Sequence, residues 1–468
     1  MNFNSLSYGI FLAVVCVLFW CVRRGVLKGK IVLLLASYIF YMSWDWRYAG
    51  LLLASTAIDF VLGQQLDKQQ VLWQRKWLLV ASLAMNLGIL ATFKYYNFFM
   101  ESSQSLFAMF GFEAVFPHSQ LLLPVGISFF TFQTMSYSID IFRRRIEHEK
   151  SFLNFAVFVA FFPQLVAGPI VRAVDFLPQL HRSSHLTAGQ FHSALMLIVQ
   201  GLFKKIVLAD LLATLLVDDV FSRPSEFGAV DQWLALYGYA FQIYNDFSGY
   251  SDIAIGSAAL IGFKLPENFN RPYVAKDIRE FWSRWHISLS TWLRDYLYIP
   301  LGGSRKGSLR TKFNLMLTML LGGLWHGASM NFLLWGLYHG ILLIMAHQLA
   351  SREKKIQNRM PNWMRSIVCF HLVLGGWLLF RVQSLADLQV FATGMVSNWT
   401  PESQTSGMFL LILALAATIH FSPRRISDSG RERVAQSPAP ALGLVYAVAL
   451  VIFCAATTST PSFLYFQF

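Results

Sequence analysis

Apolar runs close to the length of a membrane crossing recur along this chain, and the loops between them carry clusters of its basic residues. A helix needs about 20 mostly apolar residues to span a bilayer. With 55% hydrophobic and only 13% charged residues over 468 positions, and a mean hydropathy of +0.48, the chain leaves no room for a separate soluble domain. The expectation is an all-α polytopic membrane protein.

A net charge of +13 would suit nucleic acid, but lysines and arginines in short loops between apolar runs set membrane topology. The lipid bilayer is therefore the expected partner, and nucleic acid is not. The cysteines Cys16, Cys21, Cys369 and Cys454 lie inside apolar segments without a CxxC pair or zinc-like spacing, so they read as packing residues with no metal to bind. The first apolar run lacks a basic leader and a small-residue cleavage site, and is expected to persist as the first span.

Expected spans cover residues 8–22, 31–44, 48–62, 77–93 and 121–143, with Asp45 and Asp59 interrupting the second pair and marking short or tilted segments. Residues 101–119 carry only a weak apolar stretch. Residues 152–171 are apolar but contain Pro163 and Pro169, which remove backbone donors and disfavour helix before them. A broken or re-entrant segment is expected there, tolerated at membrane depth only when buried in protein or lining a cavity. Further runs begin near residues 191 and 233, then cover 313–329, 332–349, 367–380, 408–421 and 441–457. The basic loops at 23–30, 143–145, 352–355 and 422–437 are expected in the cytoplasm, which puts the N-terminus and the C-terminal tail on the opposite side.

Polar chemistry is concentrated in two regions. Residues 242–256 place Asp246 and Asp252 among hydroxyls and glycines inside an apolar run. Acids there are functional candidates by default, unless they pin neighbouring helices through arginine or backbone amides. Residues 264–312 are the least hydrophobic long stretch, and their aromatic residues suit amphipathic helices at the interface. Within residues 280–329, His286 and His326 each follow a tryptophan, and Gly322, Gly323 and Gly327 surround His326. An imidazole in hydrocarbon must satisfy two ring nitrogens without water. Glycines beside it let a ligand or another backbone approach closely. A neutral imidazole so placed can take a proton from a hydroxyl and return it to a leaving group, which fits acyl transfer to an alcohol. No GxSxG elbow, Walker loop, HExxH or dinucleotide glycine pattern offers another chemistry.

Motifs in a fixed order run through nearly the whole chain: Leu-Pro-Val-Gly-Ile-Ser-Phe at 123–129, Phe-Pro-Gln-Leu-Val-Ala-Gly-Pro-Ile at 162–170, the acidic segment 242–256, Glu-Asn-Phe-Asn-Arg-Pro-Tyr at 267–273, residues 280–303, and Leu-Leu-Gly-Gly-Leu-Trp-His-Gly-Ala at 320–328. In these the chain resembles the membrane-bound O-acyltransferases, specifically their bacterial alginate O-acetylation branch, with peptidoglycan O-acetyltransferases and teichoic-acid D-alanyl transfer proteins as relatives. Asn245 departs from the aromatic or apolar residue expected before Asp246.

The resemblance implies a ring or funnel of roughly ten to twelve tilted helices with interfacial and re-entrant pieces, in one domain. Within it, residues 1–120 would form N-terminal spans, 121–350 the catalytic core, and 351–468 the C-terminal spans and aromatic tail. It further implies an inner-membrane enzyme that passes acetyl from cytosolic acetyl-CoA, with no tightly bound cofactor, toward an extracytoplasmic polysaccharide acetyltransferase partner. Alginate is the first acceptor expected and peptidoglycan the second. His326 takes the place of the family's base and His286 that of its second polar position. Asp246, Asp252, Asn270, Arg284, Trp285 and Trp325 become substrate-site residues, Arg305 and Lys306 would meet the phosphates of the donor, and Tyr465 in the tail would relay the acyl group. A transporter or flippase, or a scaffold without chemistry of its own, are the readings from other classes that buried acids and broken helices also suit.

Overall fold

The computed structural model describes residues 1–423 other than 23–24, 113–115, 120, 167, 183, 350–359 and 400–402, together with isolated residues beyond 423. Arg23 and Arg24 in the first basic loop, the 352–355 loop, Cys454, the last expected span at 441–457 and Tyr465 with its tail lie wholly or largely outside the described residues.

Among the described residues every regular element is helical. In chain order they are α1 (Leu6–Val22), α2 (Val26–Met42), α3 (Ala49–Lys68), α4 (Leu72–Leu90), α5 (Tyr96–Met109), α6 (Ile127–Phe142), α7 (Phe152–Ala160), α8 (Phe162–Leu165), α9 (Ala173–Leu180) and α10 (Ala188–Leu202). There follow α11 (Asp210–Leu212), α12 (Asp218–Ser222), α13 (Ala229–Leu260), α14 (Ile278–Arg284), α15 (Ile287–Leu293), α16 (Ser308–His326), α17 (Met330–Leu349), α18 (Asn362–Arg381), α19 (Leu385–Ser397) and α20 (Gly407–Phe421). Four described helical bodies are long and apolar enough to cross a bilayer: Trp46–Lys68, Leu72–Met109, Met330–Leu349 and Asn362–Arg381.

Helix α13, 32 residues long, forms the spine, with α10, α18, α19 and α20 packed against it. Its flank is zipped by ion pairs: Lys205 Nζ lies 2.5 Å from Asp246 and 2.7 Å from Asp210, and Lys204 Nζ lies 2.6 Å from Asp252. The α3–α4–α6 group is joined by a buried polar network. Asp59 accepts from Ser82 Oγ at 2.8 Å and from Asn86 Nδ2 at 2.9 and 3.0 Å, and Asn86 in turn accepts from Thr134 at 2.9 Å. Asp59 therefore does not interrupt α3. Its carboxylate faces two donors on α4, one of them held in turn by Thr134 of α6, which is how a buried acid is tolerated.

The break expected at 152–171 is present: α7 ends at Ala160, Phe161 is non-helical, and α8 lasts a single turn. Residues 155–165 are buried throughout, the condition for irregular backbone at this depth. The helix expected from residue 121 begins instead at Ile127, because Pro124 disfavours helix before it and Gly126, at φ 77°, turns the chain in. Helices α9 and α19 have no counterpart among the expected elements.

Among the described residues four stretches are π-helical: Ala91–Tyr95, Phe203–Ala209, Ala213–Val217 and Arg294–Tyr298. Such widenings, frequent at functional sites, here carry Lys94, Lys204 and Lys205, and Arg294 with Asp295.

Candidate active site

His326 is the last residue of α16. The final carbonyls of a helix have no intrahelical donor, and here two consecutive residues of the first π-helical stretch supply them. Tyr95 donates its hydroxyl to Leu324 O at 2.7 Å, and Lys94 Nζ donates to Trp325 O at 2.6 Å and to His326 O at 3.2 Å. The imidazole packs edge-on against Trp325, Trp335 and Phe380, with ring centroids 5.1, 5.1 and 5.2 Å away. It is only 6% exposed.

Gly323 explains how α16 and α17 meet: a side chain there would strike the Phe332 carbonyl of α17. The neighbour admitted is thus another backbone. Gly322, by contrast, lines a cavity.

Two cavities share His326 as a wall. One, of about 380 Å³, is lined by Trp44, Leu123, Ser128, Lys94 and Trp325 among others. It lies toward the start of α3, where Tyr48 donates to Leu122 O at 2.8 Å. The other, of about 410 Å³, is lined by Arg279, Arg294, Tyr298, Gly322 and Trp335 among others. It lies toward the opposite end of α3: Arg143 at the end of α6 donates to Asp295 O at 3.1 Å, and its neighbour Arg144 pairs with Asp67 at 3.3 Å.

His286 takes a left-handed backbone conformation (φ 42°, ψ 55°) at the start of α15, and its Nδ1 accepts from Leu289 N–H at 3.2 Å. Histidine is among the few side chains enriched in this region. Because Nδ1 accepts, the proton of the neutral ring sits on Nε2. That Nε2 is buried without a hydrogen-bond partner among the described residues. Trp325 touches both histidines, its ring 5.8 Å from that of His286 and 5.1 Å from that of His326.

The distant motifs fasten around His286. Asn268 Oδ1 accepts from Ser288 N–H and Oγ–H at 3.2 and 2.8 Å, and Ser288 Oγ accepts from Ile170 N–H at 3.0 Å. Asn270 N–H donates to Arg284 O at 2.9 Å, and the Arg284 guanidinium donates back to Asn270 O at 3.1 Å and to Glu280 at 2.7 and 3.0 Å. Trp285 is packed among Phe269, Phe281 and Trp377.

Of the residues singled out in the sequence, His326 and Trp325 border the cavity near Trp44, and His326 also borders the other. His286, Asp246, Asp252, Asn270, Arg284 and Trp285 are absent from both linings, and His286 meets them through its contacts with Trp325 and Leu289. Asp246 and Asp252 hold α13 to the π-helical stretch after α10, the pinning arrangement, with lysine in place of the expected arginine. Arg305 and Lys306 lie exposed on the loop before α16, and the cations that line the second cavity are Arg279 and Arg294. Sequence reasoning passed over these two, over Lys94, and over His339, which is buried 4.8 Å from Trp335. A lone lysine closing the apolar run at 77–93 was the available signal for Lys94.

A buried histidine in the wall of two cavities of a helical membrane protein suits transfer chemistry, and comparison with known proteins gives the class. The model of the MBOAT family, "membrane-bound O-acyltransferase family", matches residues 62–386. A "Probable alginate O-acetylase AlgI" of Azotobacter vinelandii is 40% identical over 398 residues, covering 83% of this chain and 78% of that one. A protein of the same name from Pseudomonas putida is 37% identical over 94% of both chains. A "Peptidoglycan O-acetyltransferase" of Helicobacter pylori is 33% identical over 93% of this chain and 85% of its own. The chain belongs to the membrane-bound O-acyltransferase family. It is an O-acyltransferase of the membrane, in place of the solute carrier or scaffold that buried acids alone would also suit.

Proposed function

We propose that this enzyme takes acetyl from cytosolic acetyl-CoA and passes it across the inner membrane for O-acetylation of an exported or cell-wall polysaccharide. Alginate is the first candidate and peptidoglycan the second, after the names of the relatives. The observation that supports the reading is the position of His326 in the wall shared by two cavities. The thioester enters the cavity lined by Arg279 and Arg294, whose charge suits the phosphates of the donor, with Arg305 and Lys306 on the exposed loop nearby. The acceptor approaches from the cavity near Trp44. His326 takes the proton of the acceptor hydroxyl as its oxygen attacks the thioester carbonyl; the carbon–sulfur bond breaks and the imidazolium returns the proton to the departing thiolate. His286 offers Nε2–H to orient donor or acceptor.

In this reading the termini face the periplasm, ten to twelve tilted helices form the ring, and an extracytoplasmic acetyltransferase receives the acyl group. Tyr465 would serve as relay, the phenolate of its acyl ester being a good leaving group in the second transfer. The deciding experiment is His326→Ala in purified, correctly inserted protein. Transfer from acetyl-CoA is expected to be abolished with folding intact, and near-normal transfer overturns the reading. Tyr465→Phe tests the relay separately: normal polysaccharide acetylation in that variant removes it.

A further inference from the structure

We propose that Lys94 is a positioning residue for acyl transfer, an ammonium from another helix that fixes the end of α16 and so sets the place of the His326 imidazole. The inference rests on the reading of His326 as the base.

Three observations carry it. Lys94 sits on a π-helical stretch, where the widened turn aims it at α16, and its Nζ reaches Trp325 O at 2.6 Å and His326 O at 3.2 Å. The residue after α16 is Gly327, which is extended (φ −164°), and no cap hydrogen bond from it closes the helix. The charge that satisfies the last carbonyls is thus brought in from outside, in the favourable sense for the negative end of a helix dipole. Finally, the same ammonium lies 5.9 Å from the centre of the Trp325 ring, the ring that touches both His326 and His286. One side chain therefore holds both the base's backbone and the ring that the two histidines share. It also lines the cavity near Trp44 beside His326. A lysine that only neutralised a membrane segment would not need two carbonyls from consecutive residues.

Tyr95 supports the same helix end through Leu324 O at 2.7 Å, but its contact lies two residues from His326. Its loss should act mainly on the stability of the helix end. Lys94 acts on the turnover of the base. The donor cavity lies on the other side of His326, so apparent affinity for the thioester should not follow Lys94.

The test uses the full chain reconstituted in lipid discs, with acetyl-CoA as donor, and compares Lys94→Met, Lys94→Arg, Tyr95→Phe and His326→Ala. Thermal midpoints are measured beside the kinetics. Lys94→Met is expected to lower kcat at least ten-fold with KM for acetyl-CoA within two-fold, while Lys94→Arg, which keeps charge and donors, recovers to within about three-fold of wild type. Should Lys94→Met not fold, Lys94→Gln, which keeps a donor but no charge, takes its place with the same kcat-specific loss expected. Wild-type kcat in Lys94→Met or Lys94→Gln while His326→Ala is inactive overturns this inference and leaves the function standing. A loss matched by Tyr95→Phe, unrescued by arginine and tracking the thermal midpoint, also overturns it. Activity in His326→Ala overturns the function and this inference together.

Discussion

The backbone of His286 separates its two duties. A left-handed conformation is costly for most side chains, by roughly 1–3 kcal/mol where the surroundings must impose it, and this imidazole also caps α15 through Nδ1. Asparagine tolerates the same conformation and caps helices well. His286→Asn is therefore expected to keep a thermal midpoint near wild type while losing kcat at least ten-fold, since the Nε2–H is gone. His286→Ala is expected to lose the same activity and in addition about 1 kcal/mol of stability from the missing cap. Unchanged kinetics in both variants would return His286 to a purely structural role. The sequence made both histidines legible, because a ring that needs two partners inside apolar surroundings demands an explanation. It did not make Lys94 legible as a neighbour of His326: the two residues are 232 positions apart, and no local pattern encodes a contact between a π-helical stretch and the end of a later helix.

Among elements, the junctions carry the energetics. Lys205 and Asp246 are both about 2–3% exposed in their side chains and 2.5 Å apart. Lys205 is also paired with Asp210 at 2.7 Å, so losing Asp246 leaves it one carboxylate and costs less than the roughly 3–5 kcal/mol of a buried charge left wholly unpaired. Asp246→Asn is expected to lower the thermal midpoint clearly, and Asp246→Asn with Lys205→Met less than the sum of the single changes, which a double-mutant cycle on thermal unfolding reads directly. Gly323 governs a second junction. Gly323→Ala places a methyl group against the Phe332 carbonyl, and overpacking of this kind costs about 1–3 kcal/mol. Because α16 ends in His326, activity should fall further than stability; retention of full activity would show that α16 and α17 can separate without moving the imidazole. Glycines in the sequence announced a close approach. Whether a ligand or a helix approaches depends on which helix packs opposite, and that information lies outside the motif.

For the molecule as a whole, apolar run lengths were enough to read an all-helical membrane protein, and the prolines at 163 and 169 located the broken segment. They missed α9 and α19 and placed the start of α6 too early, since short helices and glycine-led entries follow from tertiary contacts. The donor side offers a test at this scale. Arg279 and Arg294 line the cavity opposite the one near Trp44, so Arg279→Gln with Arg294→Gln is expected to raise KM for acetyl-CoA about ten-fold with a smaller change in kcat. Neutralising the exposed Arg305 and Lys306 should have a lesser effect, one that fades as salt screens it. A larger effect from Arg305 and Lys306 would place donor recognition on the loop.

The wall between the two cavities has an electrical side. A membrane potential falls across whatever excludes water, so in the proposed reading, where the cavities enter from both ends, the drop concentrates on the few residues around His326 instead of spreading over the full hydrocarbon thickness. Carrying one elementary charge through 100 mV takes about 2.3 kcal/mol. An acetyl group is neutral. In the proposed step acetyl leaves the donor and the hydroxyl proton returns to its thiolate, an exchange of no net charge while the phosphates stay behind, so transfer does no electrical work and its net yield should be indifferent to the polarity of the membrane.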